Sequence, residues 1–199
     1  MTRARPLHRP WKVLSCQEVY ASPPWIRVDA QRVRLPDGRV VDPFHRVHLP
    51  DFALVVASTP DGRIAMLRQY RHGTGRVGLH VPGGFLNAGE SPLQAAKREL
   101  MEETGCVATG WRSLGRHVCN ANLGCGRAHL FAARGARAVA APDPGDLEEQ
   151  ELLWLTRAEA AAALARGAVD SLASAAALAL AMTREQSTET RRSRRRHGG

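Results

Sequence analysis

The sequence has no apolar run approaching the ~18 residues that a bilayer-spanning helix needs. Residues 1–12 carry positive charge without a following apolar core, so they do not predict a secretory signal. Cysteine is scarce: four residues form no CxxC pair and are too few for a disulfide scaffold. No segment repeats at a fixed period. With 44% hydrophobic residues available for a core, we expect a globular protein of the reducing cytoplasm, with no membrane partner.

The net charge of +9 belongs to the two ends of the chain. Nine cations and no acidic residue lie before residue 13 or after residue 190; removing these nine from 28 cations leaves 19, against 19 acids. Residues 13–190 are therefore formally neutral. Arg-rich blocks of this kind are typical of solvated, disordered tails. We expect no nucleic-acid function, and RNA binding by residues 191–199 is the alternative.

The first part of the chain is rich in strand patterns and the later part in helical patterns. Turn signals at Leu35–Gly38 and Pro60–Gly62 predict two hairpins. Short apolar runs at residues 128–132 and 152–155 have the length of strands. Helical patterns cover three segments: Pro92–Thr104, Arg157–Arg166 and about Ser171–Met182. Strands and helices mixed without regular alternation predict an α+β fold.

The segment Gly83–Cys106 concentrates acidic residues around one arginine. Ser91 is a plausible N-cap, Pro92 suits the first helical position, and Gly105 suits the position after the last turn. Inside this helix, i+3 and i+4 spacings bring three carboxylates onto one face: Glu99, Glu102 and Glu103.

Carboxylates grouped in this way repel one another unless a cation neutralises them, and hard divalent cations prefer oxygen ligands. Gly83 and Gly84, ahead of the helix, allow the backbone to approach a ligand closely. Arg98 can bridge to a neighbouring carboxylate and orient it. The helix is therefore a candidate metal site, and an acidic, solvated helix face is the alternative.

The spacing of the strict positions resembles the Nudix box: Gly84, then Glu90, Arg98-Glu99-Leu100, Glu102-Glu103 and Gly105. Residues 11–182 resemble the ADP-ribose and ADP-sugar pyrophosphatase branch of the Nudix hydrolases, on the stretches LRQYRHG (67–73), HVPGG (80–84) and DLEEQELLWLTRAEA (146–160). The resemblance implies an α/β/α sandwich with a mixed sheet. It also implies an N-terminal antiparallel β extension over residues 1–47, a Nudix domain over 48–182 and a basic disordered tail over 183–199.

The implied reaction is Mg²⁺-dependent hydrolysis of a nucleoside diphosphate sugar, with ADP-ribose giving AMP and ribose 5-phosphate; Mn²⁺ is an alternative metal. By the same resemblance, the metal ligands are Gly83, Glu99, Glu103 and Glu148. Glu102 acts as a further ligand or as the base, Arg98 and Glu90 brace the box, and Asp146 or Glu149 can substitute for Glu148.

The resemblance also implies a substrate-binding set and a homodimer in which Trp25 contributes to the partner's nucleotide site. That set consists of Trp25, Arg46, Arg68, Arg71, Asn122 and Gly124. Two departures from the branch leave the sugar open: His80 stands where Glu is common, and the stretch CNANLGCG (119–126) lacks the usual Ser-Pro-Gly. GDP-mannose, another nucleotide sugar and a non-catalytic sensor of ADP-ribose-like ligands remain alternatives.

Overall fold

The computed structural model describes residues 9–143, 145 and 149–183, which divide into two compact units. One unit contains the chain up to Pro50 together with Val118–Gly126, and the other contains Asp51–His117 and the chain from Arg127 onward. No helix in the described ranges has the length and apolar character needed to cross a membrane. The boundary between residues 47 and 48 stays a prediction.

The first unit contains an antiparallel sheet of three strands in the order β1-β2-β3: Lys12–Ser22, Ile26–Arg34 and Val40–His48. The predicted turn joins β2 to β3, where the N–H of Gly38 donates to the carbonyl of Leu35 and Gly38 has a φ of 94°. Only glycine adopts this φ without strain. Strand β1 was not predicted, because its two register shifts break the alternation of side chains that marks a strand.

The second unit is built on a mixed sheet. Its central strands follow the order β12-β5-β4-β10-β9, with β6 paired to β5 and β7 paired to β4. The bounds are β4 Phe52–Ser58, β5 Ile64–Arg71, β6 Arg76–His80, β7 Gly83–Phe85, β9 Arg112–Asn120, β10 Cys125–Arg134 and β12 Gln150–Leu155. Strands β4 and β10 run parallel, whereas β5 is antiparallel to β4, β6 and β12. A separate two-stranded sheet pairs β8 (Cys106–Val107) with β11 (Arg137–Ala138).

Helices cover both faces of this sheet, as the fold prediction required. Strand β4 is buried throughout its middle, and its alternate residues enter two different cores. Helix α1 (Pro92–Thr104) packs on one face through Ala95, Ala96 and Leu100. On the other face lie α2 (Arg157–Ala165) and α3 (residues 172–183). The predicted α/β/α sandwich with a mixed sheet and an N-terminal antiparallel sheet is confirmed.

Candidate active site

The acidic helix begins and ends where the sequence predicts. The Ser91 side chain accepts from the backbone N–H of Gln94, and the Gln94 side chain accepts from the backbone N–H of Ser91. This reciprocal pair satisfies two donors that a helix start otherwise leaves open. At the other end, Gly105 has a φ of 64° and donates its N–H to the carbonyl of Met101. These caps hold the acidic face of α1 in a defined register.

Arg98 lies at the centre of the acidic cluster. Its Nη1 donates to Oε1 of Glu99 at 2.7 Å and to Oε2 of Glu102 at 2.8 Å. Its Nε and Nη2 both donate to Glu90, at 2.9 and 3.0 Å, and Nη2 also donates to the carbonyl of Phe85. The hydrogen bonds to Glu90, followed by those to Glu99 and Glu102, raise the pKa of Arg98 above its usual range. The guanidinium therefore braces three of the four acids of the site.

Of the three acids that contact Arg98, Glu90 accepts the most hydrogen bonds from it. It receives both hydrogen bonds from Arg98, and a third comes from the backbone N–H of Asn87 at 3.0 Å. The Arg98 hydrogen bonds, with that of Asn87, lower the pKa of Glu90 although its burial opposes ionisation. Glu90 therefore fixes the loop ahead of α1 to the helix.

Glu103 is the buried acid of the site, with 3% of its surface exposed. Its Oε2 accepts the backbone N–H of Gly83 at 2.7 Å. Gly83 has a φ of 154°, and a Cβ there would collide with the carbonyl of Ala53 and lie 2.8 Å from Cα of Leu54. A Cβ on Gly84 would collide with the carboxylate of Glu99. Gly83 is thus required for the backbone to meet the acidic helix, and Gly84 leaves room for the Glu99 carboxylate.

The charge of this cluster fits a divalent cation. Four acids (Glu90, Glu99, Glu102 and Glu103) and one arginine give the cluster a formal charge of −3. The atoms that would coordinate a metal here are carboxylate oxygens with a backbone carbonyl alongside. Mg²⁺ and Mn²⁺ prefer oxygen ligands of this kind. Within the described residues, no three acidic, histidine or cysteine side chains are already gathered into a metal cage. The carboxylates of Glu99 and Glu102 are hydrogen-bonded to Arg98, and that of Glu103 is hydrogen-bonded to the N–H of Gly83. Binding a metal therefore requires these side chains to reorient.

Of the predicted ligands and catalytic residues, the structure brings Gly83, Arg98, Glu99, Glu102 and Glu103 together. Glu148 and its neighbour Asp146 lie outside the described residues. Glu149 lines a cavity of about 690 Å³, together with Arg68, Tyr70, His72 and Glu151 among others.

The predicted arginines of β5 lie on opposite faces of the sheet, because side chains alternate along a strand. Arg71 lies six residues after Ala65, so the two side chains point to the same face of β5, and Ala65 belongs to the core beneath α1. Arg68 has the parity of Met66, which belongs to the other core. Arg68 also pairs with Glu151 across β12, Nη1 to Oε2 at 2.8 Å. Of the two, Arg71 therefore lies on the face that carries the acidic helix.

Two of the predicted binding residues in the first unit, Arg46 and Gly124, lie close together. The guanidinium of Arg46 lies 3.0 Å, at Nη2, from where a Cβ on Gly124 would stand. The backbone N–H of Val47 donates to the carbonyl of Leu123 at 3.1 Å, which fixes this loop to β3. Asn122, in the same loop, is exposed. Trp25, in the turn between β1 and β2, has 60% of its surface exposed.

Sequence reasoning missed Gln150 as a neighbour of the helix. Its Nε2 donates to the backbone carbonyl of Glu103 at 3.4 Å. The signal was available in the alternation of β12, since Gln150 shares its parity with Leu152 and Trp154, which pack against the core beneath α1. A polar residue at an inward position of a strand has a buried partner as a rule.

The chain is similar to known proteins over most of its length. Residues 48–175 match the family model of the NUDIX domain, and residues 11–51 match that of the nucleoside diphosphate sugar hydrolase N-terminal domain. The chain is 36% identical to an ADP-ribose pyrophosphatase of Mycobacterium tuberculosis over 152 residues, which cover 75% of this chain and 73% of that protein. It is 32% identical over 143 residues to a CMP-5'-(N-acetyl-N-hydroxy-3-aminopropyl)phosphonate hydrolase of Streptomyces rubellomurinus, covering 72% and 68% of the two chains.

A solved structure described as an ADP compounds hydrolase shares the fold, with a TM-score of 0.72 and 21% identity over 90% of this chain and 96% of that one. The match to the NUDIX family model covers more than half of the sequence and contains the whole acidic helix with its braced arginine. The chain therefore belongs to the Nudix hydrolase family and is an enzyme of that family.

Proposed function

We propose that this enzyme hydrolyses the diphosphate bond of a nucleoside diphosphate sugar in a reaction that requires Mg²⁺, with Mn²⁺ as a substitute. The leading substrate is ADP-ribose, which water would split into AMP and ribose 5-phosphate. The observation that carries the proposal is the cluster of three acids bound to Arg98 and a fourth, Glu103, buried against the backbone of Gly83. A cluster of that charge is suited to a metal-bound diphosphate and disfavours a purely structural role.

Glu99, Glu103 and the carbonyl of Gly83 would hold the metal, with Glu148 as a further ligand. When bound, Mg²⁺ would neutralise charge on the phosphoryl oxygens and lower the pKa of a bound water. Arg98 holds the Glu99 and Glu102 carboxylates through one nitrogen, so it keeps the two side by side before a metal binds. Glu102 is the most exposed of the paired acids, with 40% of its side chain accessible, and is the candidate to accept a proton from the attacking water.

The choice of substrate rests on the relatives. A relative named ADP-ribose pyrophosphatase aligns over three quarters of this chain, and a second, named for a CMP conjugate, aligns nearly as far. The nucleotide can thus differ among close relatives, so GDP-mannose and other nucleotide sugars remain second candidates. Arg71 is the preferred phosphate contact because of its face on β5, and Arg68, Arg46, Asn122 and Gly124 are further candidate contacts.

A homodimer is the second part of the proposal. The three-stranded sheet and the turn between β1 and β2 expose several large apolar side chains, among them Val13, Val19, Tyr20 and Trp25. Exposed apolar surface of this kind favours association, and a second copy of the chain would cover it. Trp25 would then stack on the nucleobase in the partner's site. The four free cysteines agree with a cytoplasmic location.

One experiment tests the reaction: the purified enzyme is incubated with a panel of nucleotide sugars and Mg²⁺, and the products are identified by mass. We expect AMP and ribose 5-phosphate from ADP-ribose, and no product when EDTA replaces Mg²⁺. Tight binding of ADP-ribose without turnover of any member of the panel would favour the sensor alternative and refute the proposed hydrolysis.

A further inference from the structure

A buried polar row crosses the sheet beneath α1, outside the acidic cluster. Gln150, Gln69 and Gly78 are direct neighbours on the adjacent strands β12, β5 and β6. Directly paired residues point to the same face of a sheet. Gln150 has the parity of Leu152 and Gln69 that of Ala65, both of which belong with the α1 core. The row therefore lies on the face that carries the acidic helix.

Asp170 supplies the side chain that Gly78 lacks. Its carboxylate lies over Gly78, where an added Cβ would stand 2.5 Å from Oδ1 and 2.7 Å from Oδ2. Only 1% of the Asp170 side chain is exposed. Oδ2 accepts from Nε of Arg76 at 3.1 Å, and Oδ1 lies 3.3 Å from Nε2 of His80, so the contacts follow one face of β6.

A backbone hydrogen bond also connects the segment around Asp170 to β6. The N–H of Leu79 donates to the carbonyl of Ala168 at 2.9 Å, so the segment before Asp170 pairs with the edge of β6. Val169, between these contacts, is buried in the core on the opposite face of the sheet. The segment between α2 and α3, which contains Asp170, thus contacts β6 along its edge and also on the face that carries α1.

The polar row and the β6 strand that Asp170 contacts are each connected to Glu103. At one end, Gln150 donates Nε2 to the Glu103 carbonyl. At the other, His80 precedes Gly83 by three residues, and Gly83 donates its N–H to the Glu103 carboxylate. One buried oxygen of the row, Oε1 of Gln150, accepts no hydrogen bond from any residue in the described part of the chain. A buried acceptor without a protein partner lowers stability, so packing alone does not explain this side chain.

We propose that Asp170 is a positioning residue of the metal site: by holding β6 and the polar row, it sets the place of Gly83 and Glu103. The proposal rests on the proposed metal-dependent function, because it concerns the residues that would hold the cation. Asp170 touches neither substrate nor metal in this scheme. It acts through His80 and the β6 backbone, as outer partners of metal ligands do.

The test compares Asp170→Asn with a matched control, Asp61→Asn, in the full-length chain. Asp61 also pairs with an arginine Nε, that of Arg63 at 3.4 Å, but its side chain is 67% exposed and lies on the turn between β4 and β5. Mn²⁺ binding is measured by isothermal titration calorimetry, and kcat and KM are measured on the substrate that the parent prefers. We expect Asp170→Asn to bind Mn²⁺ about 10-fold more weakly and to lose kcat by a similar factor. Its KM should stay within twofold, and the control should match the parent.

A second variant covers the case in which Asp170→Asn does not fold. Gln150→Leu keeps the bulk of the side chain and removes the donor to the Glu103 carbonyl, so we expect it to weaken Mn²⁺ binding in the same direction. Asp170→Asn with the Mn²⁺ affinity and kcat of the control would overturn the inference; if that variant cannot be folded, Gln150→Leu with parental values would do so. A parent that binds no Mn²⁺ would overturn the proposed metal site itself, and this inference with it.

Discussion

Replacing Glu103 with glutamine should abolish metal-dependent hydrolysis and leave the fold intact. Glutamine keeps the size of the side chain, and its Oε1 can still accept the N–H of Gly83, which Glu103 accepts at 2.7 Å. What changes is charge: the cluster goes from a formal −3 to −2, at the position that is 3% exposed and least screened by water. The substitution also removes the need to keep an ionised group buried, so the metal-free variant should be at least as stable as the parent.

The expected loss in kcat/KM is about 10³-fold, or about 4 kcal/mol of transition-state stabilisation, the range for one electrostatic partner of a reacting centre. Hydrolysis is followed by product release in Mg²⁺, and melting temperature is measured with and without Mg²⁺. The parent should gain stability with the metal and the variant should not, because only a ligand that binds the folded state shifts the equilibrium. Activity within twofold of the parent would refute the assignment of Glu103 as a ligand.

Three further predictions address the brace, the tail and the dimer. Because Arg98 lowers the pKa of Glu90 in the folded state, this pair contributes stability that is present above the ordinary value of 4.5 and is lost as the pH falls through the lowered pKa. Urea unfolding should therefore show that Glu90→Gln loses less stability than the parent between pH 6 and pH 3; equal losses would contradict this. Removing residues 191–199 should leave turnover of small nucleotide sugars unchanged, and a loss of most activity would revive a role for the tail in binding RNA or a partner. Trp25→Ala should weaken substrate binding by ~1–3 kcal/mol, the range for stacking on a base, with a much smaller fall in kcat; a monomer in light scattering with unchanged binding would remove this hypothesis.

Local chemistry made the acidic helix predictable. Ser91, Pro92 and Gly105 act on their own backbone or on that of near neighbours, so the bounds Pro92–Thr104 follow from sequence and agree with the structure. The turn signals at Gly38 and Gly62 act in the same way. The grouping of acidic side chains, on which the proposed metal site depends, follows from spacing along this one helix, because i+3 and i+4 neighbours meet whatever the rest of the fold does.

Interactions between distant segments were not predictable from their own residues. Strand β1 was missed since its bulges break the alternation, and its pairing with β2 depends on a partner strand. The faces of Arg68 and Arg71 follow only once the register of β5 is known.

The sequence by itself determined the acidic helix, its caps and the Gly83-Gly84 segment ahead of it, and it predicted the divalent cation that we propose for this cluster. The tertiary structure alone decided that Asp170, more than 80 residues after Gly83, lies over Gly78 and contacts His80. It also decided that Gln150 reaches the carbonyl of Glu103. The physical reason is that capping and helical spacing are local, whereas a buried polar contact between strands exists only after the sheet has brought its strands into register.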